Sequence, residues 1–119
     1  MASKQERSVL LVMSNPVEGR EEEYHEWYEN THIGEVLWVP GIVSGQRFEL
    51  VAEKGQPETR RFLVLYEVEG DPQAVFDALN AARDERQQSR AFEWRTASMQ
   101  MFRAVGAYQT EAHPLKEAD

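Results

Sequence analysis

Cysteine is absent from this chain of 119 residues. Its absence excludes disulfides, thiolate metal sites and cysteine nucleophiles, and it makes a reducing, cytoplasmic location the expectation. Long apolar runs are absent as well, since residues 9–13 form a run far shorter than the roughly 20 residues of a membrane-spanning helix. The polar residues 1–7 do not resemble a signal peptide. The chain also lacks a Gly-rich phosphate loop and a G-x-S-x-G nucleophile motif, which argues against nucleotide cofactors and serine-based nucleophilic catalysis.

Basic residues are scarce: 13 Lys and Arg stand against 21 Asp and Glu, for a net charge of −8. Nucleic acid and anionic membranes would repel such a surface, so neither is expected as a partner. The length and the 41% hydrophobic content suffice for one modest core. The sequence therefore predicts a single domain over residues 1–119, with its core at about residues 8–109 and polar tails at both ends.

The stretch at residues 21–41, EEEYHEWYENTHIGEVLWVPG, is rich in aromatic rings. At about 100° per residue, many of them share one helical face while most acidic residues lie elsewhere, which indicates an amphipathic helix. Its N-terminus suits the three glutamates at 21–23, and Pro40-Gly41 would end it. His32 lies on the flank of the aromatic stripe, about 40° from Tyr28, where it can face a cavity. The stripe consists of Tyr24, Trp27, Tyr28, Thr31, Glu35 and Trp38.

Four strands are predicted by alternating or continuous apolar residues, at residues 8–14, 42–51, 60–69 and 98–108. Asp71-Pro72 predicts the start of a second helix, whose apolar spacing fades into the polar run at residues 84–90. The resulting order, β-α-β-β-α-β, is the ferredoxin-like arrangement. The predicted fold class is α+β, with a four-stranded antiparallel sheet and two helices on one face.

The first and third predicted strands are apolar on both faces, although two helices can cover only one face of the sheet. Leu63 and Leu65, for example, alternate with Val64 and Tyr66 on the third strand. Soluble monomers rarely expose a contiguous apolar patch. The sequence therefore predicts a homodimer in which two sheets pack face to face.

Residues 19–41 follow the pattern G-x-E-E-x-Y-H-x-W-Y-x-x-x-H-I-x-E-V-x-x-V-P-G. This pattern resembles the EthD-like branch of the dimeric α/β-barrel superfamily, which the second half of the chain matches in element order alone. The resemblance implies a homodimeric barrel with one pocket per subunit between helices and sheet. It assigns the family's histidine to His32 and its aromatic pair to Trp27 and Tyr28. Haem-degrading relatives carry a histidine late in the second helix, where this chain has none.

His32 is the predicted general acid or base, because an imidazole that titrates near neutrality can move a proton next to a carbonyl group. The alternative is a structural histidine that is hydrogen-bonded to a neighbour. The hydroxyl of Tyr28, Tyr66 or Tyr24 would stabilise the developing oxyanion.

Substrate contacts are predicted from the remaining aromatic side chains and one arginine. Arg47, among apolar neighbours in the second strand, could hold a ligand carboxylate or enolate, or could form an ion pair instead. Core packing is the alternative for the aromatic side chains. The predicted substrate-binding residues are Tyr24, Trp27, Trp38, Arg47 and Phe48.

Two E-x-x-H pairs, Glu22 with His25 and Glu29 with His32, could indicate a metal site. Proteins that use this spacing assemble it from facing helices, and the second helix offers no histidine, so no metal and no cofactor are predicted. The predicted function is a cofactor-independent lyase, isomerase or polyketide cyclase acting on an aromatic, polyketide-like or hydrophobic carbonyl compound. The alternatives are a non-catalytic protein that binds a hydrophobic metabolite or assists a partner enzyme, and a cofactor-independent monooxygenase.

Overall fold

The structure, a computed structural model, describes residues 7–116, so parts of the predicted tails, residues 1–6 and 117–119, lie outside the described residues. The first helix runs without a break through three segments: α1 (Glu21–Trp27), a π-helical turn (Tyr28–His32) and α2 (Ile33–Val36). The second helix is α3 (Pro72–Ala81), followed by a short 3-10 turn (Arg83–Glu85). The strands are β1 (Ser8–Pro16), β2 (Ile42–Glu49), β3 (Phe62–Val68) and β4 (Phe92–Arg103). The predicted order of elements is confirmed.

The four strands form one antiparallel sheet with the order β2-β3-β1-β4. The two central strands, β1 and β3, are those with the longest apolar runs, because central strands are covered on more sides than edge strands. This topology confirms the predicted ferredoxin-like fold.

Both helices pack on the same face of the sheet, where they enclose the core. The helix α3 begins as predicted: the Asp71 carboxylate accepts a hydrogen bond of 3.2 Å from the backbone N–H of Gln73, and Pro72 occupies the first turn. Helix α3 contributes Val75 and Leu79 to the core. The other large buried side chains are Leu10, Tyr24, Tyr28, Val36, Val39, Ile42, Val64, Tyr66 and Val68.

The π-helical turn changes the face of the first helix that reaches the core. Such a turn inserts one extra residue, so the side chains after it are rotated by about 100° relative to an uninterrupted α-helix. Val36 is buried as a result, whereas Trp38, which the regular pattern predicts on the aromatic stripe, is 87% exposed. The helix also ends at Val36, before Trp38 is reached.

Strand β4 differs most from its prediction, since it begins six residues earlier, at Phe92, and ends at Arg103 rather than at residue 108. Its start was hidden because the pairing shifts register between Met13 and Asn15 of β1. Glu93 pairs with Asn15, and its carboxylate accepts hydrogen bonds from the backbone N–H groups of Arg95 and Thr96. Its end follows from its partner: Arg103 pairs with Ser8, the first residue of β1.

The sheet face away from the helices carries an apolar surface, here called the outer face. Leu11 pairs with Leu65 at its centre, and Val9 pairs with Phe102 toward the edge. The apolar side chains of the outer face are Val9, Leu11, Met13, Phe48, Leu63, Leu65 and Phe102. Within residues 7–116, none of the helices has the length and hydropathy to cross a bilayer.

Candidate active site

A cavity of about 480 Å³ lies between the first helix, the end of α3 and the sheet. Its floor is made by apolar residues of β1, β3 and β4, and one wall by the π-helical turn. The volume falls within the range of small-molecule sites in proteins. Its lining includes the aromatic, histidine and arginine side chains of Trp27, Tyr28, His32, Tyr66, Arg83 and Arg86.

His32 stacks on Trp27 in the cavity wall, with ring centroids 4.2 Å apart and planes 20° from parallel. Residues five positions apart are about 140° from each other on an α-helix and could not stack. The π-helical turn, whose hydrogen bonds span five residues, brings these two rings onto the same side. The local helix geometry is therefore what positions the imidazole beside the cavity.

Burial and, to a smaller extent, the nearby charge of Arg86 together lower the pKa of His32 to about 4. The imidazole is thus neutral at pH 7, which corrects the expectation that it titrates near neutrality. Its Nδ1 atom is buried and has no hydrogen-bond partner among the described residues. A structural histidine would normally have both nitrogens satisfied, so the missing partner of this atom needs an explanation.

Two tyrosines lie beside His32. The ring of Tyr28 contacts the imidazole edge to face at 5.2 Å, and Tyr66 lines the cavity from β3. Burial raises the pKa of both phenols, so each remains a hydrogen-bond donor at neutral pH. The Tyr28 hydroxyl is buried and makes no hydrogen bond to a described residue, although Ser14 lies near enough to favour its ionised form slightly.

The segment after the 3-10 turn folds back over the cavity and supplies lining residues that the sequence did not reveal. Gln87 anchors it to the first helix: its carbonyl accepts a hydrogen bond of 3.1 Å from the indole of Trp27, and its N–H donates one of 2.9 Å to Glu35. Arg86 thereby reaches the cavity. A polar run such as residues 84–90 normally indicates solvated surface, so the sequence held no signal for this placement.

Tyr24 and Arg47, two of the predicted substrate-binding residues, lie in the core next to the cavity and do not line it. Tyr24 is fully buried and shares a hydrogen bond of 2.6 Å with Ser14. Arg47 donates to His25 Nδ1 at 2.8 Å and to Glu29 at 3.1 Å, and its guanidinium lies 4.7 Å from the centre of the Tyr28 ring. The Arg47 contacts correspond to the ion-pair alternative that the sequence left open.

Trp38 and Phe48 lie further away. Trp38 is on the surface after the first helix, beside a shallow groove, and Phe48 is 44% exposed on the outer face. The structure therefore brings together four predicted site residues, Trp27, Tyr28, His32 and Tyr66, and separates the other four from this cavity.

Metal ligands are not clustered in the part of the chain that the structure describes: within residues 7–116, no three His, Asp or Glu side chains are placed to hold an ion together. The two E-x-x-H pairs are divided by their neighbours, since His25 bonds to Arg47 while His32 stacks on Trp27. The chemistry available in the cavity is that of a neutral imidazole, two phenols and two guanidinium groups.

Among known proteins, no family model and no curated sequence matches this chain. Its fold is similar to that of MhuD, in the structure of an arginine-to-serine variant with two manganese protoporphyrin IX molecules bound per active site. The TM-score is 0.57 at 19% sequence identity, and the match covers 87% of this chain and 99% of that chain. At this identity the likeness supports the ferredoxin-like fold, and membership of the EthD-like branch remains a prediction.

Proposed function

We propose that this protein is a small cofactor-independent enzyme, a lyase, isomerase or cyclase, in which His32 moves a proton on an aromatic or hydrophobic carbonyl compound. One observation carries the proposal: a neutral imidazole with an unpartnered buried nitrogen lies in the wall of a largely apolar cavity, beside an unpartnered buried phenol. Buried polar atoms without partners are uncommon in folded proteins and need an explanation. Neither atom is accessible in the present arrangement, so a bound carbonyl compound would supply the missing partners once the two side chains turn these atoms toward the cavity.

In the proposed step, the neutral imidazole of His32 removes a proton from the carbon next to the carbonyl group. The C–H electrons become the enolate, whose oxygen accepts a hydrogen bond from the Tyr28 or Tyr66 hydroxyl. The resulting imidazolium is a strong acid in this environment, because burial disfavours its charge. It therefore returns the proton readily. Return to another carbon gives an isomerisation, and protonation of a leaving hydroxyl group gives a dehydration. In a cyclisation, the enolate carbon attacks a second carbonyl carbon of the substrate, and the imidazolium protonates the alkoxide formed when that C=O bond opens.

The proposal is tested without knowledge of the natural substrate by following deuterium exchange in β-tetralone, a bicyclic ketone with acidic protons next to its carbonyl group. The protein is incubated with the ketone in deuterated buffer, and proton NMR measures the rate of exchange. We expect acceleration by the native protein and its loss in His32→Gln, with a rate reduction of about 100-fold or more if His32 is the base.

The matched control is His25→Gln, which removes the other histidine of the first helix while leaving the cavity lining intact. This variant should retain the native exchange rate, provided that circular dichroism shows it to be folded. Equal rates in the native protein and in folded His32→Gln would refute the role of His32 as the base.

The second candidate function is binding of a hydrophobic compound without chemistry, and a porphyrin is one such compound. The observation that favours it is the likeness to a fold whose active site binds manganese protoporphyrin IX, together with the neutral imidazole and the arginines Arg83 and Arg86 at one cavity. His32 would be the residue that holds the porphyrin's metal, since it is the histidine that lines this cavity and residues 72–85 contain no histidine. Titration with haemin, followed in its near-ultraviolet absorption band, would show saturable binding that His32→Ala weakens.

We further propose that the protein is a homodimer joined through the outer face. The support is the pairing of apolar side chains such as Leu11 with Leu65 on a face that neither helix covers. Two sheets in face-to-face contact would remove this surface from water. Analytical ultracentrifugation at micromolar concentration should give a dimer, and a monomer under these conditions would overturn this part of the proposal.

A further inference from the structure

The arginine Arg86 differs from most others in the described part of the chain because it has no carboxylate partner. Seven arginines form ion pairs: Arg7, Arg20, Arg47, Arg60, Arg61, Arg83 and Arg90. With 21 acidic residues in the sequence, carboxylates are plentiful. Arg86 is nonetheless half-buried at the cavity, and within residues 7–116 it takes part in none of these pairs.

The contacts of Arg86 hold its guanidinium in place without neutralising it. Its Nη1 donates a hydrogen bond of 3.0 Å to the carbonyl of Leu79 in the last turn of α3, while Nε is buried with no partner. The charges of Glu35 and Glu85 favour its protonated form through space, but neither carboxylate forms an ion pair with it among the described residues, and Glu35 accepts a hydrogen bond from the N–H of Gln87 instead. A positive charge removed from water and left without an anion is unfavourable.

We infer that Arg86 binds an anionic oxygen group, such as a carboxylate, on the substrate of the His32 site. A guanidinium offers donors in a planar fork that matches a carboxylate. Its location on the cavity wall formed after α3 lets the anion bind there while the carbonyl group faces the π-helical turn. The substrate class narrows to an aromatic or hydrophobic carbonyl compound that also carries a carboxylate. This inference rests on the proposed function of the cavity.

The anion would also change the chemistry of His32. Arg86 lies close enough for its charge to disfavour the imidazolium form. Neutralising this charge with a carboxylate removes that repulsion and favours proton uptake by the imidazole. Substrate binding would thus make the base stronger when it is needed.

The experiment compares two probes with the same bicyclic ring, β-naphthoate and its methyl ester, by isothermal titration calorimetry. We expect the native protein to bind the carboxylate about tenfold or more tightly than the ester, because a charge-assisted hydrogen bond contributes only in the first case. In Arg86→Gln the two affinities should become similar, within about twofold. Arg86→Lys, which keeps the charge without the fork, should retain part of the preference.

The control variant is Arg90→Gln, which removes an exposed arginine of the same segment that pairs with Glu23 and does not line the cavity. It should keep the native preference. Equal binding of both probes to the native protein would overturn the role of Arg86 while leaving the cavity's function intact. A preference that persists in folded Arg86→Gln would assign the anion to another group, such as Arg83. Failure of the folded protein to bind either probe would contradict the proposed function as well.

Discussion

Acid should destabilise the protein through His32 specifically, and the size of this effect follows from the site. The pKa of His32 is about 4 in the folded chain, against an ordinary value of 6.5 for histidine. Because the folded-state pKa is the lower one, the folded protein favours the neutral imidazole. The contribution of this preference to stability is fully present above about pH 6.5 and is lost as the pH falls toward 4.

Linkage gives the magnitude. The full shift corresponds to about 3 kcal/mol, since one pKa unit is worth about 1.4 kcal/mol. Near pH 4.5 most of the contribution, about 2 to 3 kcal/mol, should be lost relative to pH 7.5. The variant His32→Gln cannot be protonated at this position and should not lose it.

The assay is urea denaturation followed by tryptophan fluorescence, at several values between about pH 7.5 and 4.5, for the native protein and for His32→Gln. Burial and the charge of Arg47 also lower the pKa of His25. Because His25 titrates in both proteins, its contribution to the pH dependence cancels in the comparison. The native protein should lose about 2 to 3 kcal/mol more than the variant over this range. If the native protein and His32→Gln lose the same free energy of unfolding within about 0.5 kcal/mol, the burial of an uncharged imidazole at this site is refuted.

Three further predictions concern packing and assembly. Gly45→Ala would place a methyl group 2.8 Å from the buried ring of Tyr66, so thermal denaturation should show a loss of about 1 to 3 kcal/mol in the free energy of unfolding. Gly34→Ala, whose methyl group meets open space, should not destabilise the protein. Equal effects of the two substitutions would contradict the close packing of Gly45 against Tyr66. Tyr24→Phe leaves a buried serine hydroxyl unpaired and should cost about 1 to 2 kcal/mol in urea denaturation, and a neutral result would mean that water replaces the phenol. Leu65→Asp should convert the dimer to monomer in sedimentation, and an unchanged dimer would place the interface elsewhere.

The fold was predictable from the sequence because its signals are local. Apolar runs marked β1 and β3, and the Asp71-Pro72 pair marked the start of α3. The start of β4 was missed because its first residues include charged side chains and lie at a register shift, where alternation is interrupted. Boundaries of this kind depend on the partner strand, which no local pattern reveals.

The site was predictable in part, for a similar reason. His32 and its aromatic neighbours are close in sequence, so a helical pattern placed them together. The π-helical turn, which stacks His32 on Trp27 and turns Trp38 outward, could not be predicted, because hydrophobic periodicity does not reveal it. Arg86 was not predicted, because its position depends on a tertiary contact between Gln87 and the first helix.

A crystal structure of the protein with β-tetralone bound tests the central claim most directly, since it shows both the location and the orientation of a carbonyl compound. We expect the ketone in the cavity, with its oxygen roughly 3 Å from the hydroxyl of Tyr28 or Tyr66 and the adjacent carbon facing His32. A ketone bound outside this cavity, or an imidazole turned away from it, would contradict the proposed role of His32 in proton transfer.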